Sequence, residues 1–334
     1  MDTVAAPVTT LATIESILPS APGLITAALL LIIAAVLWFV CPGPLGRLAQ
    51  WAERRRGGLT VRRARHDGVS WHWLEGGQGE PLVLLHGFNG DAHHFARAAR
   101  HLGQHFRLIA PDIPGFGETR LSQPISHRIE DIAQRLLAWL DHQQVDTFYL
   151  GGNSMGGYIA MAMAQQAPER VRALWLLAPG GVHQAPLSPV LQEVAEDRHN
   201  PLVVRNRQDF EVLLDYCFVQ RPWMPGPLIR HLAHRAHRTC EQSLVIFDAM
   251  LHDSPPLEQL ADGLTTPALI YWGQDDQVLH PQGAAIIEGL MPHAHRIVVS
   301  GMGHLPMIES PRASAEAWLA FTEQLARERD GAPA

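Results

Sequence analysis

The sequence predicts an α/β protein: a mostly parallel β-sheet flanked by helices, with an inserted helical cap and an N-terminal transmembrane helix. Three observations predict this organisation. Short apolar runs typical of buried strands alternate with amphipathic helical patterns along most of the chain. The alternation stops between residues 182 and 263, where only helical patterns occur, and an uncharged apolar run precedes it near the N-terminus.

The composition is that of a folded protein, and it excludes several functional classes. Apolar residues make up 47% of the 334 residues and charged residues 18%, which excludes global disorder. The net charge of −7 argues against binding to nucleic acid. All 26 basic residues are Arg, so a P-loop lysine, a Schiff-base lysine and a Ser–Lys dyad are excluded. Three Cys are too few for a disulfide framework.

The apolar run over residues 24–41 predicts a membrane anchor. It contains no charge, and Thr26 is its only polar residue. As a helix the run would extend about 27 Å, close to the hydrocarbon thickness of a bilayer, and Trp38 stands near its end, where interfacial aromatic residues occur. A signal peptide would need a basic segment ahead of the run, but the first basic residue is Arg47. We therefore expect an N-terminal tail over 1–23 and a transmembrane anchor over 24–41.

The distribution of Arg around the anchor predicts its orientation. No Arg precedes the anchor, whereas the segment 42–66 that follows it, interpreted as a basic linker, contains Arg47, Arg54, Arg55, Arg56, Arg62, Arg63 and Arg65. The positive-inside rule then places the rest of the chain on the cytoplasmic side of a single-pass membrane protein. The linker would also contact anionic lipid head groups.

The remaining chain divides into one α/β domain and one helical insertion. Apolar runs predict strands at 69–74, 81–87, 106–110, 148–150, 173–177, 268–272 and 296–299. Helical patterns separate most of them at 91–103, 128–142, 155–166, 281–290 and 311–328. Four further helical patterns follow one another at 187–197, 207–220, 225–238 and 240–252. Because that stretch is too long for a loop, we expect an α/β domain over 67–181 and 264–330 and a helical cap over 182–263.

Residues 152–156, GNSMG, carry the motif on which the functional prediction depends. They match G-x-S-x-G between a predicted strand and a predicted helix, which is the context of a nucleophile elbow. In such an elbow a sharp turn holds the nucleophile, here Ser154, in a strained backbone conformation, and only small neighbours fit beneath it. The motif alone is common by chance, but in this context it predicts a nucleophilic serine.

A nucleophilic serine needs a base and an acid that orients the base, and two later loops supply the candidates. For a nucleophile on such an elbow the chain order is Ser, then Asp or Glu, then His. Asp275 and Asp276 leave the strand predicted over 268–272, and His304 follows the next strand. His304 is one of 19 histidines, so its place in the chain order, rather than its residue type, selects it. Either aspartate could be the acid.

The elbow and the two loops resemble those of the α/β-hydrolase superfamily. The family pattern W-G-x-x-D, present here at residues 272–276, implies that Asp276 is the acid, with Asp275 as the alternative. An early H-G-F loop at residues 86–88 implies that the oxyanion hole uses the backbone N–H of Phe88. The second donor is the N–H of Met155, which follows the nucleophile.

The same early segments contain two further motifs that we interpret as structural. His86, the first residue of the H-G-F loop, would support that loop rather than take part in the chemistry. The loop at residues 112–117, DIPGFG, matches a turn that is common in these hydrolases. Its Gly-x-Gly lacks the third glycine and the helix start of a dinucleotide-binding fingerprint.

The resemblance is closest to membrane-anchored monoacylglycerol lipases of the α/β-hydrolase-domain proteins and to related bacterial lipases. It extends from the N-terminal helix to the last helix, and its most specific match is W-G-x-x-D-Q-V-L at residues 272–279. A serine at the elbow, rather than an aspartate, argues against haloalkane dehalogenases and epoxide hydrolases. The resemblance implies a serine esterase of lipid metabolism that cleaves monoacylglycerol or a similar single-chain acyl ester without metal or cofactor. Asn153 departs from the Thr that is frequent in that group.

The cap supplies large apolar side chains that could line an acyl pocket: Phe210, Phe218, Trp223, Met224 and Phe247. These side chains could instead form the core of the cap itself. Two other functions stay open at this point. One is a hydrolase of a soluble substrate stationed at the membrane, either a carbon–carbon bond hydrolase or a general carboxylesterase. The other is a non-catalytic binding protein on the same fold.

Overall fold

The computed structural model describes residues 21–40, 42–196, 200–329 and 331, and these residues form a nine-stranded β-sheet with helices around it. The strands are β1 (Leu59–His66), β2 (Val69–Gly77), β3 (Glu80–Leu85), β4 (Phe106–Pro111), β5 (Arg120–Leu121), β6 (Phe148–Ser154), β7 (Val171–Pro179), β8 (Ala268–Gly273) and β9 (Ala294–Val299). Most of the predicted N-terminal tail, Cys41 at the end of the predicted anchor, residues 197–199 of the predicted cap and residue 330 lie outside the described residues.

The sheet is mixed, and its parallel part positions the site. From edge to edge the order is β1-β2-β4-β3-β6-β7-β8-β9, and β5 pairs with β2 beside this path. The strands from β4 to β9 in that order are parallel, whereas β1, β2 and β5 pair antiparallel with their neighbours. Because parallel strands end at the same edge of a sheet, the loops after β3, β6, β8 and β9 meet there.

Helices cover both faces of the sheet, as the alternating pattern predicts. In chain order they are α1 (Ala21–Val40), α2 (Pro42–Arg56), α3 (Ala99–Leu102), α4 (Ile129–His142), α5 (Met155–Gln166), α6 (Pro189–Ala195), α7 (Arg207–Cys217), α8 (Gly226–Arg238), α9 (Cys240–Asp248), α10 (Leu257–Ala261), α11 (Gly283–Leu290), α12 (Pro306–Glu309) and α13 (Pro311–Arg329). The apolar faces of α4, α5, α10 and α11 join one buried cluster, and those of α3 and α13 join the other.

Stacked tryptophans fix helices to both faces of the sheet. On one face the ring of Trp71 on β2 lies 5.0 Å from that of Trp139 on α4. On the other face Trp175 on β7 stacks on Trp318 of α13 at 5.6 Å. All four side chains are fully buried, so each pair contributes both apolar burial and a defined ring geometry. The fold class predicted from the sequence is confirmed for this α/β part of the chain.

Helices α6 to α9 lie between β7 and β8, in the stretch where the sequence predicts a helical cap. Phe210 and Leu214 on α7 and Ala233 on α8 belong to the same buried cluster as residues of the sheet, so the insertion packs onto the α/β part. The segment predicted as one helix over 240–252 consists of α9, which ends at Asp248, and a π turn at Ala249–Asp253. The other three helices are shorter than their patterns by one to four residues.

The segment 42–66, predicted as a basic linker, is folded. It contains α2 and β1, and β1 pairs with β2 over its whole length, from Leu59 opposite Gly76 to His66 opposite Val69. The sequence does not reveal β1 as a strand, because this edge strand has charged residues among its apolar ones and so lacks an apolar run. α2 packs against α8, so this segment joins α1 directly to the helices of the predicted cap.

Among the side chains of the N-terminal helix α1 that the structure describes, these large apolar ones are strongly exposed: Leu24, Ile25, Leu29, Leu30, Ile32, Val36, Trp38 and Phe39. In the described part of the chain, no helix meets the length and apolarity required of a membrane span. The transmembrane anchor over 24–41 therefore stays a prediction.

Candidate active site

The serine of the G-x-S-x-G motif lies at a sharp turn between a strand and a helix. β6 ends at Ser154 and α5 begins at Met155, without a connecting loop. Ser154 has φ 55° and ψ −120°, a backbone conformation that L-residues rarely adopt. Such strain persists only where the surrounding structure enforces it, and this geometry is that of a nucleophile elbow.

Two glycines of the motif are required by close backbone approach. A Cβ atom on Gly152 would lie 2.2 Å from the carbonyl oxygen of Gly156, across the turn. A Cβ atom on Gly156 would lie 2.1 Å from the carbonyl oxygen of Leu85 at the end of β3. Both distances are shorter than any non-bonded contact, so the turn closes only with glycine at these positions. This explains the spacing of the motif in terms of the sheet beneath it.

The structure brings His304 and Asp276 together in a buried hydrogen bond. His304 Nδ1 lies 2.8 Å from Asp276 Oδ2, and both side chains are almost completely buried. The same Oδ2 accepts a hydrogen bond from Trp272 Nε1 at 3.0 Å, while Oδ1 accepts the backbone N–H groups of Val278 and Leu279 at 2.8 and 3.0 Å. With four donors around it, the carboxylate is fixed in place. It holds the proton of His304 on Nδ1 and leaves Nε2 as the basic nitrogen.

The neighbouring carboxylate has a different environment. Asp275 is exposed, and its Oδ2 accepts the backbone N–H of Gly301 at 2.7 Å. This bond fixes the turn after β9. The geometry therefore favours Asp276 over Asp275 as the partner of His304.

Asn153 connects the elbow to the loop that carries His304. Its Nδ2 donates to the carbonyl oxygens of Leu177 at 2.9 Å and of His304 at 3.0 Å. The backbone N–H of His304 in turn donates to the carbonyl oxygen of Cys217 at the end of α7. Sequence reasoning noted Asn153 only as a departure from a family pattern and missed this role, because the partners are far apart in the chain.

The loop after β3 packs against the elbow, as an oxyanion hole requires. A Cβ atom on Gly87 would lie 3.2 Å from Ser154 Cβ, so the backbone of this loop passes next to the serine. Phe88 follows Gly87, and its ring packs edge-on against Phe116 at 5.3 Å. Met155 is the first residue of α5, where backbone N–H groups have no partner within the helix.

His86 holds this loop by two hydrogen bonds. Its Nδ1 lies 2.8 Å from the carbonyl oxygen of Gly87, and its Nε2 accepts the backbone N–H of Ile113 at 2.9 Å. Burial lowers the pKa of His86, which keeps the ring neutral and suits one donating and one accepting nitrogen. This arrangement supports the interpretation of His86 as a structural residue.

A cavity of about 140 Å³ lies over the elbow, and Ser154 and His304 both line it. Three of the five residues predicted for an acyl pocket also line it: Phe210, Phe218 and Met224. The structure places the other two elsewhere. Trp223 is 80% exposed, and Phe247 packs edge-on against the ring of Phe88 at 5.9 Å, outside the cavity lining. Hydrophobicity alone does not indicate which side of a loop or helix a residue occupies.

One side of the cavity carries charged residues that sequence reasoning missed. Asp91 forms an ion pair with Arg235 of α8 and accepts a hydrogen bond from Gln50 of α2 at 3.3 Å. Burial would raise the pKa of Asp91, but the Arg235 guanidinium and His93 outweigh it and hold that pKa well below its usual range. Arg97 pairs with Glu53 of α2 at 2.7 Å. No local motif could reveal these pairs, which join three elements far apart in the chain.

Comparison with known proteins places these features in a family context. Residues 80–225 match the family model described as alpha/beta hydrolase fold. Lipase 1 of Psychrobacter immobilis is 32% identical over 255 residues, which cover 75% of this chain and 79% of that protein. The monoacylglycerol lipase ABHD6 of Bos taurus is 25% identical over 317 residues, covering 90% of this chain and 93% of its own.

Solved structures show the same similarity. A membrane phospholipase A, described as a bacterial virulence factor, superimposes with a TM-score of 0.83 at 33% identity, covering 91% of this chain and 98% of its own. A putative lipase from Acinetobacter baumannii AYE has a TM-score of 0.79 at 24% identity, covering 85% and 97%. The similarity to the phospholipase extends over nearly the whole of both chains.

Proposed function

The chain belongs to the α/β-hydrolase family, and from that premise we propose that it is a serine hydrolase cleaving carboxylic esters of lipids. Monoacylglycerols or similar single-chain acyl esters are the proposed substrates. The observation that carries the proposal is the buried pair of His304 and Asp276, whose histidine lines one largely apolar cavity together with the strained Ser154. The lipases among the relatives support ester hydrolysis as the reaction class.

The proposed reaction follows the acyl-enzyme route of serine esterases. His304 Nε2 takes the proton of Ser154 as the serine oxygen attacks the ester carbonyl carbon. The backbone N–H groups of Phe88 and Met155 stabilise the resulting oxyanion, and Asp276 stabilises the charged imidazole. His304 then gives the proton to the leaving alcohol, and the carbon–oxygen bond breaks. Water, activated by His304, hydrolyses the acyl-enzyme and releases the fatty acid.

The lining of the cavity supports a substrate with an acyl chain. The apolar lining residues include Phe210, Leu213, Leu214, Phe218, Met224, Leu228, Leu232 and Ile308. Burying a hydrocarbon chain against such side chains is favourable by about 0.8 kcal/mol for each CH₂ group. A second candidate is hydrolysis of phospholipid acyl esters, which the 33% identity to a membrane phospholipase A favours. The two candidates share the site and differ in the head group.

A substrate screen tests the reaction and its specificity together. The purified protein is assayed with 1-monoacylglycerols, lysophospholipids and diacyl phospholipids of equal chain length, and with a vinylogous diketo acid, the substrate type of carbon–carbon bond hydrolases. We expect turnover of the monoacylglycerols and covalent labelling by a fluorophosphonate probe. Preferential turnover of the phospholipids would establish the second candidate. Turnover of the diketo acid alone would contradict lipid ester hydrolysis, and absence of labelling would contradict a serine nucleophile.

We further propose that α1 anchors the protein in a membrane. Its exposed apolar side chains support this proposal, because a helix that is apolar all round is unstable in water unless something covers it. At 20 residues, α1 would extend about 30 Å. The description of a 33% identical solved relative as a membrane phospholipase also supports association with a bilayer.

The distribution of Arg around α1 predicts the orientation of the proposed anchor. Because Arg residues follow α1 and none precedes it in the sequence, the α/β part should lie on the cytoplasmic side. Protease added to intact cells or right-side-out spheroplasts should leave this part undigested, whereas permeabilised cells should lose it. A cytoplasmic marker protein and a marker on the outer surface serve as controls. If protease added outside sealed spheroplasts digests the α/β part, the orientation is the opposite of the one predicted.

A further inference from the structure

The segment between α7 and α8 exposes the most accessible large apolar side chain of the described residues. Trp223 is 80% exposed, although its neighbour Met224 points into the active-site cavity. Large aromatic side chains usually contribute to a core or to an interface, so a strongly exposed tryptophan indicates a contact with something outside the folded chain.

Trp223 lies on the segment that leads into α8, and α8 contacts the C-terminal end of α1. A Cβ atom on Gly226, three residues later, would be 3.8 Å from Nε1 of Trp38. Arg230 on α8 donates a hydrogen bond to the carbonyl oxygen of Trp38 and places its guanidinium 5.7 Å from the ring centre of Phe39. Trp38 is 42% and Phe39 69% exposed. The exposed rings of these two residues and of Trp223, on the segment that leads into α8, are called the aromatic surface.

The segment that carries Trp223 also lines the active-site cavity. Met224 lines the cavity from the same loop, and Leu228 lines it from the first turn of α8. Arg97, another lining residue, donates a hydrogen bond to the carbonyl oxygen of Trp223 at 3.3 Å. The loop therefore has one side in the cavity and the other on the aromatic surface.

We infer that the aromatic surface docks on the lipid bilayer and that the cavity receives its substrate beside it, directly from the membrane. The inference rests on the proposed function and on the proposed anchor, because Trp38 and Phe39 stand at the end of α1. Aromatic side chains at the end of a membrane helix lie at the level of the lipid head groups. Helix α8, which begins three residues after Trp223, contacts the same end of that helix through Gly226 and Arg230, so the segment that carries Trp223 stands near the same level. A bilayer, rather than a second protein, is therefore the partner that fits.

Trp223→Ala tests the docking in the full-length protein reconstituted in phosphatidylcholine vesicles. The variant should hydrolyse 1-monooleoylglycerol embedded in the vesicles about tenfold more slowly than the wild type, because an apolar ring no longer holds the loop at the lipid surface. Its kcat/KM for the water-soluble ester p-nitrophenyl acetate should stay unchanged. Ile297→Ala on β9, at the far edge of the sheet, is the matched control and should change neither rate.

Three outcomes would overturn the inference. Equal activity of Trp223→Ala and wild type on the embedded lipid would show that the ring is not needed at the surface. An equal loss with both substrates would place Trp223 in the catalytic machinery rather than at the membrane. An equal loss with Ile297→Ala would show that the effect is not specific to the aromatic surface.

Quenching of tryptophan fluorescence by lipid tests the docking without an activity assay and without the alanine variant. Vesicles that contain lipid brominated near the head group should quench the wild type more strongly than Trp223→Phe, since this substitution removes one tryptophan at the interface and retains the ring. Equal quenching of the two proteins would contradict docking, whatever the enzyme hydrolyses. If no ester is turned over but the quenching difference is present, the proposed reaction fails while the docking surface stands.

Discussion

Replacement of Ser154 by alanine is expected to lower kcat for p-nitrophenyl butyrate by roughly five to six orders of magnitude. The variant loses the hydroxyl that forms the acyl-enzyme in the proposed mechanism, and what activity is left comes from substrate binding and from stabilisation of the oxyanion formed by attacking water. Folding should be retained, because alanine keeps the Cβ atom that the strained turn already accommodates at this position. Steady-state hydrolysis and labelling by a fluorophosphonate probe measure the loss.

The matched control for this variant is Ser126→Ala. Ser126 is an exposed serine ahead of α4, away from the cavity lining, and its replacement should change kcat by less than about twofold. Thermal unfolding of Ser154→Ala should stay close to that of the wild type, which separates loss of chemistry from loss of fold. If Ser154→Ala keeps more than a small fraction of the activity, or still binds the probe, another residue is the nucleophile.

The parallel strands could be predicted because burial on both faces leaves a plain mark in the sequence. β6, β7 and β8 are almost wholly buried, and each contains an uninterrupted apolar run. β1 could not be predicted, since its Arg residues lie at the edge of the sheet and give the segment the composition of a basic linker. The helix expected over 91–103 is divided, because the Asp91 side chain caps a 3₁₀ turn at its start and the chain turns again before α3.

The residues of the candidate triad could be selected from the sequence because they follow a fixed chain order and each stands at the end of a strand or in the loop after it. The choice between Asp275 and Asp276 rested on family resemblance, and the structure adds the physical reason: one carboxylate faces His304 and the other caps a turn. The contacts that hold this geometry were beyond sequence reasoning. Asn153 reaches the His304 loop only because β6 and β9 belong to one sheet.

The position of the N-terminal helices relative to the site could not be predicted either, because it depends on contacts between segments that are far apart in the chain. The sequence suggests an anchor that merely tethers an enzyme. In the structure α2 packs along α8, and Gln50 and Glu53 of α2 line the active-site cavity. The helix that follows the proposed anchor is therefore part of the site. Truncating the chain before the α/β part would remove a wall of the cavity as well as the proposed membrane anchor.

Asp276→Asn should lower kcat by about 10⁴-fold with little change in fold. Oδ1 of Asp276 accepts two backbone N–H groups, while Oδ2 accepts Trp272 Nε1–H and faces His304 Nδ1. An asparagine that keeps its oxygen toward the backbone turns its NH₂ group toward those two ring nitrogens. His304 can then accept from the NH₂ group only with its proton on Nε2, and this tautomer is unable to take the proton of Ser154. The pre-steady-state acylation rate with p-nitrophenyl butyrate measures the effect.

Asp275→Asn is the decisive comparison, because it makes the same chemical change on the adjacent residue. Asp275 is exposed and accepts one backbone N–H, from Gly301, which an asparagine oxygen accepts equally well. Its acylation rate should stay within about twofold of the wild type. A strong loss in this variant with a mild one in Asp276→Asn would exchange the two roles, and equal losses would mean that the loop as a whole, rather than one carboxylate, orients His304. Only an orienting carboxylate in contact with the imidazole predicts a difference of several orders of magnitude between neighbouring residues of identical type.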